Sequence, residues 1–248
     1  MNPDDFPPVG LLYSGGLDSS ILLAHLLDSG RRVQPFYIHS DLVWQQAELR
    51  SARRFMAALD SPRLADLVTL AMPLKDVYGG HWSTTGDGTP GDGTPDEAVF
   101  LPGRNALLIL KAAVWCQLHG LTELALAPLA TNPFADATDG FFDELQAALN
   151  RGVERPLRII RPFSGLHKDA VMRRGGGYPL ELTFSCIAPR GDLHCGRCNK
   201  CAERQAAFSS AGLSDATEYA GDAGPGVLPA ADWLTPLGRP ATPDRQPG

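Results

Sequence analysis

The stretch Tyr13-Ser14-Gly15-Gly16-Leu17-Asp18-Ser19-Ser20 constrains this chain more than any other. It follows an apolar run, Val9 to Leu12, and leads into an apolar-periodic one, Ile21 to Leu27. That order reads strand, glycine turn, helix. Two glycines let a backbone turn tightly and bring its N–H groups close to an anion. Ser14, Ser19 and Ser20 add hydroxyl donors, and the start of the helix adds partial positive charge. Phosphate oxygens suit such a turn, and Asp18 is placed to hold Mg²⁺ beside them. A Walker loop would need G-x-x-x-x-G-K-[ST]. Gly10 and Gly15 have that spacing, but Gly16 and Leu17 stand where Lys and Ser/Thr belong. The dinucleotide fingerprint G-x-G-x-x-G is absent from this turn.

The pattern around the turn repeats. Val9–Tyr13, Val33–His39 and Leu67–Ala71 read as strands, and Ser19–Leu27 and Leu42–Leu59 as the helices between them. Alternation of this kind predicts an α/β fold, a doubly wound, mainly parallel sheet with helices on both faces. Ligands of such sheets sit beyond the carboxyl ends of the strands, where the Ser14–Ser19 turn lies. In the helix over 42–59, Arg50, Arg53 and Arg54 are expected to be solvated. Thr84–Glu97 breaks the alternation: GDGTP occurs at Gly86–Pro90 and again at Gly91–Pro95. We expect a glycine-proline insertion without regular structure, either a mobile loop or a lid over the nucleotide. Leu101-Pro102-Gly103-Arg104-Asn105 follows it and opens a helix over Ala106–Leu118. Leu124–Leu126 and Leu157–Ile160 read as extended, Asp139–Leu149 and Lys168–Arg174 as helical. From about Gly221 the composition is rich in Pro, Gly and Ala, which predicts loose packing.

Four of the five cysteines fall together as Cys186, Cys195, Cys198 and Cys201, the last three in a C-x-x-C-x-x-C run. Four thiolates suit tetrahedral Zn²⁺, with an iron–sulfur cluster as the alternative. A Zn(Cys)₄ centre has no open position for substrate, so the expected role is structural. Arg190, Arg197, Lys200 and Arg204 are available to offset its charge. Cys116, in the helix after Asn105, reads as a buried small hydrophobe. The expected organisation is a nucleotide-binding domain over 1–180, a cysteine module over 181–220 and a tail over 221–248.

An apolar fraction of 44% is ample for one core of this size. The net charge of −6 argues against broad binding to nucleic acid, which needs a basic surface. Met1–Pro8 is acidic and proline-rich, unlike a targeting segment, and no apolar run approaches membrane-spanning length. The expected compartment is the cytoplasm, whose reducing conditions favour metal over disulfides for the clustered cysteines.

SGGLDS at Ser14–Ser19 resembles the pyrophosphate loop (PP-loop) of the N-type ATP pyrophosphatases, an adenine nucleotide alpha hydrolase-like fold. Those enzymes split ATP between its α and β phosphates and transfer AMP. Together with LPGRN at Leu101–Asn105 and the cysteines of ELTFSC…CGRCNKC, it is similar to the 7-cyano-7-deazaguanine synthase family, QueC or ExsB, from about Val9 to Ala207. The resemblance implies a ligase that adenylates 7-carboxy-7-deazaguanine with ATP and Mg²⁺. Ammonia then displaces AMP, and a second ATP drives loss of water from the amide to give the nitrile preQ₀, precursor of queuosine. It implies Zn²⁺ on the four cysteines, a homodimer and a small deazapurine substrate. By position, Ser14, Gly15, Gly16, Leu17, Asp18, Ser19 and Ser20 would hold the pyrophosphate end. Gly103, Arg104 and Asn105 would lie near the nucleotide or the acceptor carboxylate, and Lys168 matches a lysine the family often carries. His39 either faces the adenine or packs as a core histidine. Asp18, Arg104 and Lys168 are the expected catalytic set.

The chain departs from the family over Ala130–Phe142, where an acidic-aromatic segment is usual. Asp136 and Asp139 with Phe134 or Phe141 read either as base-recognising groups or as an Asn-Pro turn and an Asp-capped helix. The acceptor therefore stays open between 7-carboxy-7-deazaguanine and a related base or protein acceptor of a paralogue, as in defence or secondary metabolism. Two other classes remain beside it, a PP-loop tRNA sulfurtransferase and a non-catalytic nucleotide-binding zinc module.

Overall fold

In the computed structural model, residues 8–153, 155–221 and 227–228 are described. The first alternation runs β1 (Val9–Leu12), α1 (Leu17–Asp28), β2 (Val33–His39), α2 (Gln45–Leu59) and β3 (Val68–Ala71). Two single-turn helices, α3 (Lys75–Tyr78) and α4 (Trp82–Thr85), and the short strand β4 (Thr89–Pro90) lead to α5 (Arg104–Leu118). The chain continues through β5 (Glu123–Ala125), α6 (Asp139–Arg151), β6 (Arg158–Ile160), α7 (Lys168–Gly175), α8 (Asn199–Ala211) and β7 (Val227–Leu228).

The main sheet has the order β3-β2-β1-β5-β6, and every pairing in it is parallel. Its middle strand, Val9-Gly10-Leu11-Leu12, is apolar at successive positions because helices cover both faces. On one face α1, α2, α7 and α8 pack through Ile21, Leu22, Phe55, Met172 and Phe208. On the other, α5 and α6 pack through Ile109, Cys116 and Phe142 onto Phe36 and Leu124. Cys116 is fully buried, and its burial pushes the thiol up to about 12. A third core surrounds the cysteine cluster and includes Trp44, Trp82, Leu101 and Phe184. The strand order reverses between β1 and β5, so a crevice opens beyond their carboxyl ends.

The expected doubly wound parallel sheet is present, with differences that have local causes. Helix α1 begins at Leu17, which puts Asp18 in its first turn. Helix α2 begins at Gln45 rather than Leu42. The Gln45 side chain folds back to accept from the N–H groups of Ser40 (2.6 Å) and Leu42 (3.2 Å) and to donate to the Ile38 carbonyl (2.9 Å). It thereby satisfies backbone groups at the end of β2, and Leu42–Trp44 stays a turn. Arg50, Arg53 and Arg54 are exposed as expected, and Arg50 also donates from Nε to Asp192 at 2.7 Å, tying α2 to the cysteine segment.

The GDGTP segment is not without regular structure. Its β4 pairs in parallel with β7, and Gly91 bridges Cys198. The Asp92 N–H donates to the Arg197 carbonyl at 3.0 Å, and Asn199 Nδ2 donates to the Thr94 carbonyl at 2.9 Å. Thr89 and Thr94 are buried. Most of the Pro/Gly-rich tail lies outside the described residues. No helix among the described residues is long and apolar enough to cross a membrane.

Candidate active site

The phosphate turn is held from below and from the side. Gly15 has φ +77°, and a Cβ there would stand 2.8 Å from Ala52 Cβ on α2, so only glycine fits both the conformation and the contact. Its carbonyl accepts from the Phe184 N–H at 2.8 Å, which fastens the turn to the chain entering the cysteine module. Ser14 Oγ accepts from the Gly16 N–H at 3.3 Å and lies 3.1 Å from Ser19 Oγ. Gly16 is the N-cap of α1, and no side chain caps it. The first N–H groups of a long helix are therefore free for an external acceptor.

Two cavities meet on this turn. The first, about 320 Å³, lies against the carboxyl ends of β1, β2 and β5 and is lined by Tyr13, Tyr37, Ile38, Asn105, Leu126 and Phe142 among others. The second, about 310 Å³, opens toward the cysteine segment between Leu17, Trp44, Trp82, Leu101, Phe184 and Lys168. Ser14, Asp18, Ser19, Glu48 and Arg104 line both. Trp44 and Trp82 are stacked with ring centroids 5.7 Å apart. Trp82 Nε1 is buried with no hydrogen-bond partner among the described residues, as is Arg104 Nε.

Lys168 Nζ donates to both carboxylate oxygens of Asp18, at 2.8 and 2.9 Å, although 150 residues separate them. Asp18, Arg104 and Lys168 thus converge on the second cavity. Asn105 lines the first cavity, and its Nδ2 donates to the Asp136 carbonyl (3.1 Å) and carboxylate (3.2 Å). Other expected site residues stand apart. Ser20 is fully buried and donates to Tyr13 Oη at 3.3 Å, inside the helix–sheet contact. His39 is outside the lining of both cavities and pairs with Asp41 at 3.2 Å. Gly103, at φ +75°, is the N-cap of α5 and shapes its start.

Glu48 is the residue that sequence reading missed. It is 8% exposed, and Tyr37 Oη donates to its Oε2 at 2.6 Å. Burial raises its carboxyl to about 7, against the opposing pull of Arg104 and the Tyr37 hydrogen bond. The same burial pushes the Tyr37 and Tyr13 phenols well up, so both stay neutral. A signal existed: Glu48 stands at i−4 from Ala52 and i−7 from Phe55, on the buried side of α2.

The divergent segment folds as a turn leading into a capped helix, with other details than expected. Phe134 stacks on Phe100 with centroids 4.9 Å apart, Asp136 is buried under Asn105, and Phe142 joins the core. Thr138, not an aspartate, caps α6, its Oγ1 accepting from the Phe141 N–H at 3.3 Å. Asp139 pairs instead with Arg161 at 3.2 Å.

The Sγ atoms of Cys186, Cys195, Cys198 and Cys201 all lie within 4.8 Å of one another and are buried. Zn–S bonds of about 2.3 Å in a tetrahedron set the sulfurs roughly 3.8 Å apart. The measured Cys186–Cys198 and Cys195–Cys201 separations are 3.8 and 3.9 Å. Backbone N–H groups of Ala188 and Cys195 point at Cys186 Sγ, and those of Arg197 and Cys198 at Cys195 Sγ. Such donors favour thiolates, so the residues fit a tetrahedral metal. Arg204, expected as a counter-charge, is 1% exposed and works as a clamp. It donates to Thr217, Thr183 and the Leu180 carbonyl at 2.7–2.8 Å.

Comparison with known proteins agrees with this geometry. Residues 9–212 match the family profile described as "Queuosine biosynthesis protein QueC". A 7-cyano-7-deazaguanine synthase from Methanopyrus kandleri is 31% identical, the match covering 84% of this chain and 97% of that one. The 7-cyano-7-deazaguanine synthase 1 of Desulfitobacterium hafniense is 28% identical, over 81% and 90% respectively. Among solved structures, a 4-thiouridine synthetase–RNA complex with bound ATP gives a TM-score of 0.44 at 15% identity, covering 83% of this chain and 50% of that one, too distant to carry an argument. With more than four-fifths of its length inside one profile, a phosphate turn and PGRN element meeting at one crevice, and a clustered cysteine quartet, the chain belongs to the QueC family.

Proposed function

We propose that this protein adenylates 7-carboxy-7-deazaguanine with ATP, amidates the adenylate with ammonia, and spends a second ATP to dehydrate the amide to the nitrile preQ₀. The observation that carries this reading is the junction of two cavities on the phosphate turn of a QueC-family chain. A carboxylate oxygen leaves poorly until AMP is attached, so nucleotide and acceptor must meet in line at the α-phosphate. In this reading the first cavity takes the adenosine, and the free N–H groups of Leu17 and Asp18 with Ser14 and Ser19 take the phosphates. Arg104 and Lys168 neutralise the charge that develops there. Asp18, which holds Lys168 in this structure, would hold the Mg²⁺ that accompanies the nucleotide and supplies charge neutralisation at the phosphates. Asn105 acts by fixing Asp136 and the start of α5.

The second cavity takes the acceptor. Trp44 and Trp82 offer a flat apolar wall suited to a planar base, and the unpaired Trp82 Nε1 offers one donor to it. The same wall favours a second reading, a paralogue acting on a related acceptor, because it is built from segments outside the motifs quoted for the family. A Zn²⁺ on the four cysteines would be structural and hold the far side of this cavity in place. Ammonia arrives free or from a partner. Leu110, Val114 and Leu118, exposed in one stripe along α5, suit a homodimer contact.

Mass spectrometry of products after incubation with ATP, Mg²⁺, ammonium and 7-carboxy-7-deazaguanine tests the proposal. The amide and preQ₀ should accumulate with AMP and pyrophosphate. AMP release with another deazapurine acid alone would select the paralogue, and no AMP with any of them would end both readings.

A further inference from the structure

Adenylation needs only a good anion cradle, but the second half-reaction needs a proton acceptor. Ammonia that attacks an acyl adenylate becomes a cationic nitrogen, which must lose a proton before the product is a neutral amide. None of the expected catalytic residues fills that role well. Lys168 and Arg104 are cations, and Asp18 is engaged at both oxygens by Lys168 in this structure and would be engaged by Mg²⁺ in the proposed reaction.

Glu48 has the right placement. It lies on α2 at the boundary of the two cavities, with Ser14, Asp18, Ser19 and Arg104. It is more than nine-tenths buried. Only one side-chain hydrogen bond to it is described, from Tyr37 Oη to Oε2 at 2.6 Å, so Oε1 is left for a ligand. Tyr37 is itself fixed, its Oη standing also 3.1 Å from the Gln45 carbonyl. The ring that orients the carboxylate is thus locked by the backbone at the start of the same helix. The groups facing Glu48 are Tyr13 just after β1, Tyr37 on β2 and Arg104 on α5. Asp18 and Lys168 share the second cavity with it, and Lys200, Glu203 and Arg204 line that cavity too. An ionised carboxylate without a full set of partners is expensive to bury, and acids perturbed in this way cluster at functional clefts.

Resting on the proposed function above, we infer that Glu48 is the base that deprotonates the incoming ammonia nitrogen. The lone pair of NH₃ forms the C–N bond to the acyl carbon, and the carbonyl π pair moves to oxygen. The nitrogen, now cationic, passes one proton to Glu48 Oε1. The oxyanion then collapses, the C–O bond to AMP breaks, and its electron pair leaves on the phosphate oxygen. The sum is acyl adenylate, ammonia and carboxylate to amide, AMP and carboxylic acid, with charge conserved. Glu48 afterwards loses its proton to water. A group that titrates near neutrality suits both the uptake and the release.

Two half-reactions of the full-length protein separate this inference from the reading beneath it. Carboxylate-dependent exchange of labelled pyrophosphate into ATP reports adenylation, and amide formation at constant free ammonia reports transfer. Glu48→Gln should leave exchange within about threefold and lower amide formation by roughly 10²–10³-fold. The transfer rate of the unmodified protein should rise through about pH 7, and this variant should lose that rise. Glu48→Asp should keep part of the rate and the pH dependence. Normal transfer in Glu48→Gln, or equal loss of both half-reactions in a variant with a native circular dichroism spectrum, overturns the assignment. Absence of exchange in the unmodified protein removes the proposed function itself, and this inference with it.

Discussion

The phosphate turn collects its donors from the consecutive residues Ser14–Ser19, whereas the wall that faces it across the second cavity comes from four separate segments. The form of the turn is set by two glycines, a strand before it and a helix after it. Trp44, Trp82, Leu101, Phe184 and Ile187 meet only because the cysteine cluster gathers their segments into one core. The contrast teaches that the part binding the cofactor-like substrate is local and robust. The part choosing the acceptor is assembled at long range and depends on the metal site.

The largest effect should follow from breaking the assembled side. Cys198→Ser, or stripping of metal with a strong chelator, removes a tetrahedral ligand set whose metal-binding free energy in small zinc modules is on the order of ten kcal/mol. Even a loss of about 4 kcal/mol would lower the melting temperature by roughly 10 °C in a domain of this size. Calorimetry with metal analysis checks this, and one zinc per chain is expected. Unchanged melting with lost turnover would mean that the cluster reacts rather than braces.

Asp18→Ala tests the local side, and the pattern should reverse. AMP formation should fall by about 10³-fold, as when a preorganised charge is lost. The fold should lose no more than about 1 kcal/mol, because the Asp18–Lys168 pair is partly exposed. Radiolabelled ATP turnover and thermal melting of the same sample measure both. Retained turnover would show that the turn binds phosphate without serving the chemistry.

The same division explains what the sequence disclosed. SGGLDS, PGRN and the cysteine run are contiguous, so their residue types and spacing already state their chemistry, and the parallel sheet follows from the alternation around them. Glu48 stands between Gln46 and Arg50 and looks like one more solvated charge until the buried side of α2 is counted from Phe55. Trp44 and Trp82 are 38 residues apart and carry no pattern that joins them. Arg204 looks like a counter-ion for the thiolates, but its hydrogen bonds run to Thr183, Thr217 and Leu180, contacts that exist only after folding. GDGTP suggested a loop by composition; its anchors, Arg197 and Asn199, lie a hundred residues away.

Glu48 sits where the two halves touch, and its burial should be measurable as instability. Its carboxyl is raised from 4.5 to about 7 in the folded protein. A raised acid binds protons better folded than unfolded, so stability falls as pH rises between those values and the penalty is complete above about pH 7. Its size is about 3 kcal/mol at most. Glu48→Gln keeps an oxygen for Tyr37 and removes the charge, so it should melt higher than the parent at alkaline pH, with the gain fading below about pH 5. Chemical denaturation across that range checks the sign. A variant less stable than the parent at alkaline pH would mean that Arg104 compensates the charge fully.

The smallest effect should come from Gly91, and it probes whether the GDGTP segment belongs to the assembled wall. A Cβ at this position would lie 2.3 Å from the Leu228 carbonyl oxygen and 3.2 Å from its carbon. Those atoms are backbone and cannot swing aside, so Gly91→Ala must shift β4 or release β7. Release is the cheaper course, because β7 contributes only two residues to a two-stranded pair, while Gly91 also bridges Cys198 and Thr94 is buried beside Asn199. Global stability should therefore change by less than about 1 kcal/mol, well under the cost of overpacking a closed core. Hydrogen exchange should speed up at Leu228 and stay slow at Cys198. If β7 steadies the segment that leads into Val99 and Leu101, the KM for the acceptor should rise severalfold with the KM for ATP unchanged, since only the second cavity borders those residues. Equal changes in both constants would join the two halves into one cooperative unit and dissolve the distinction between them.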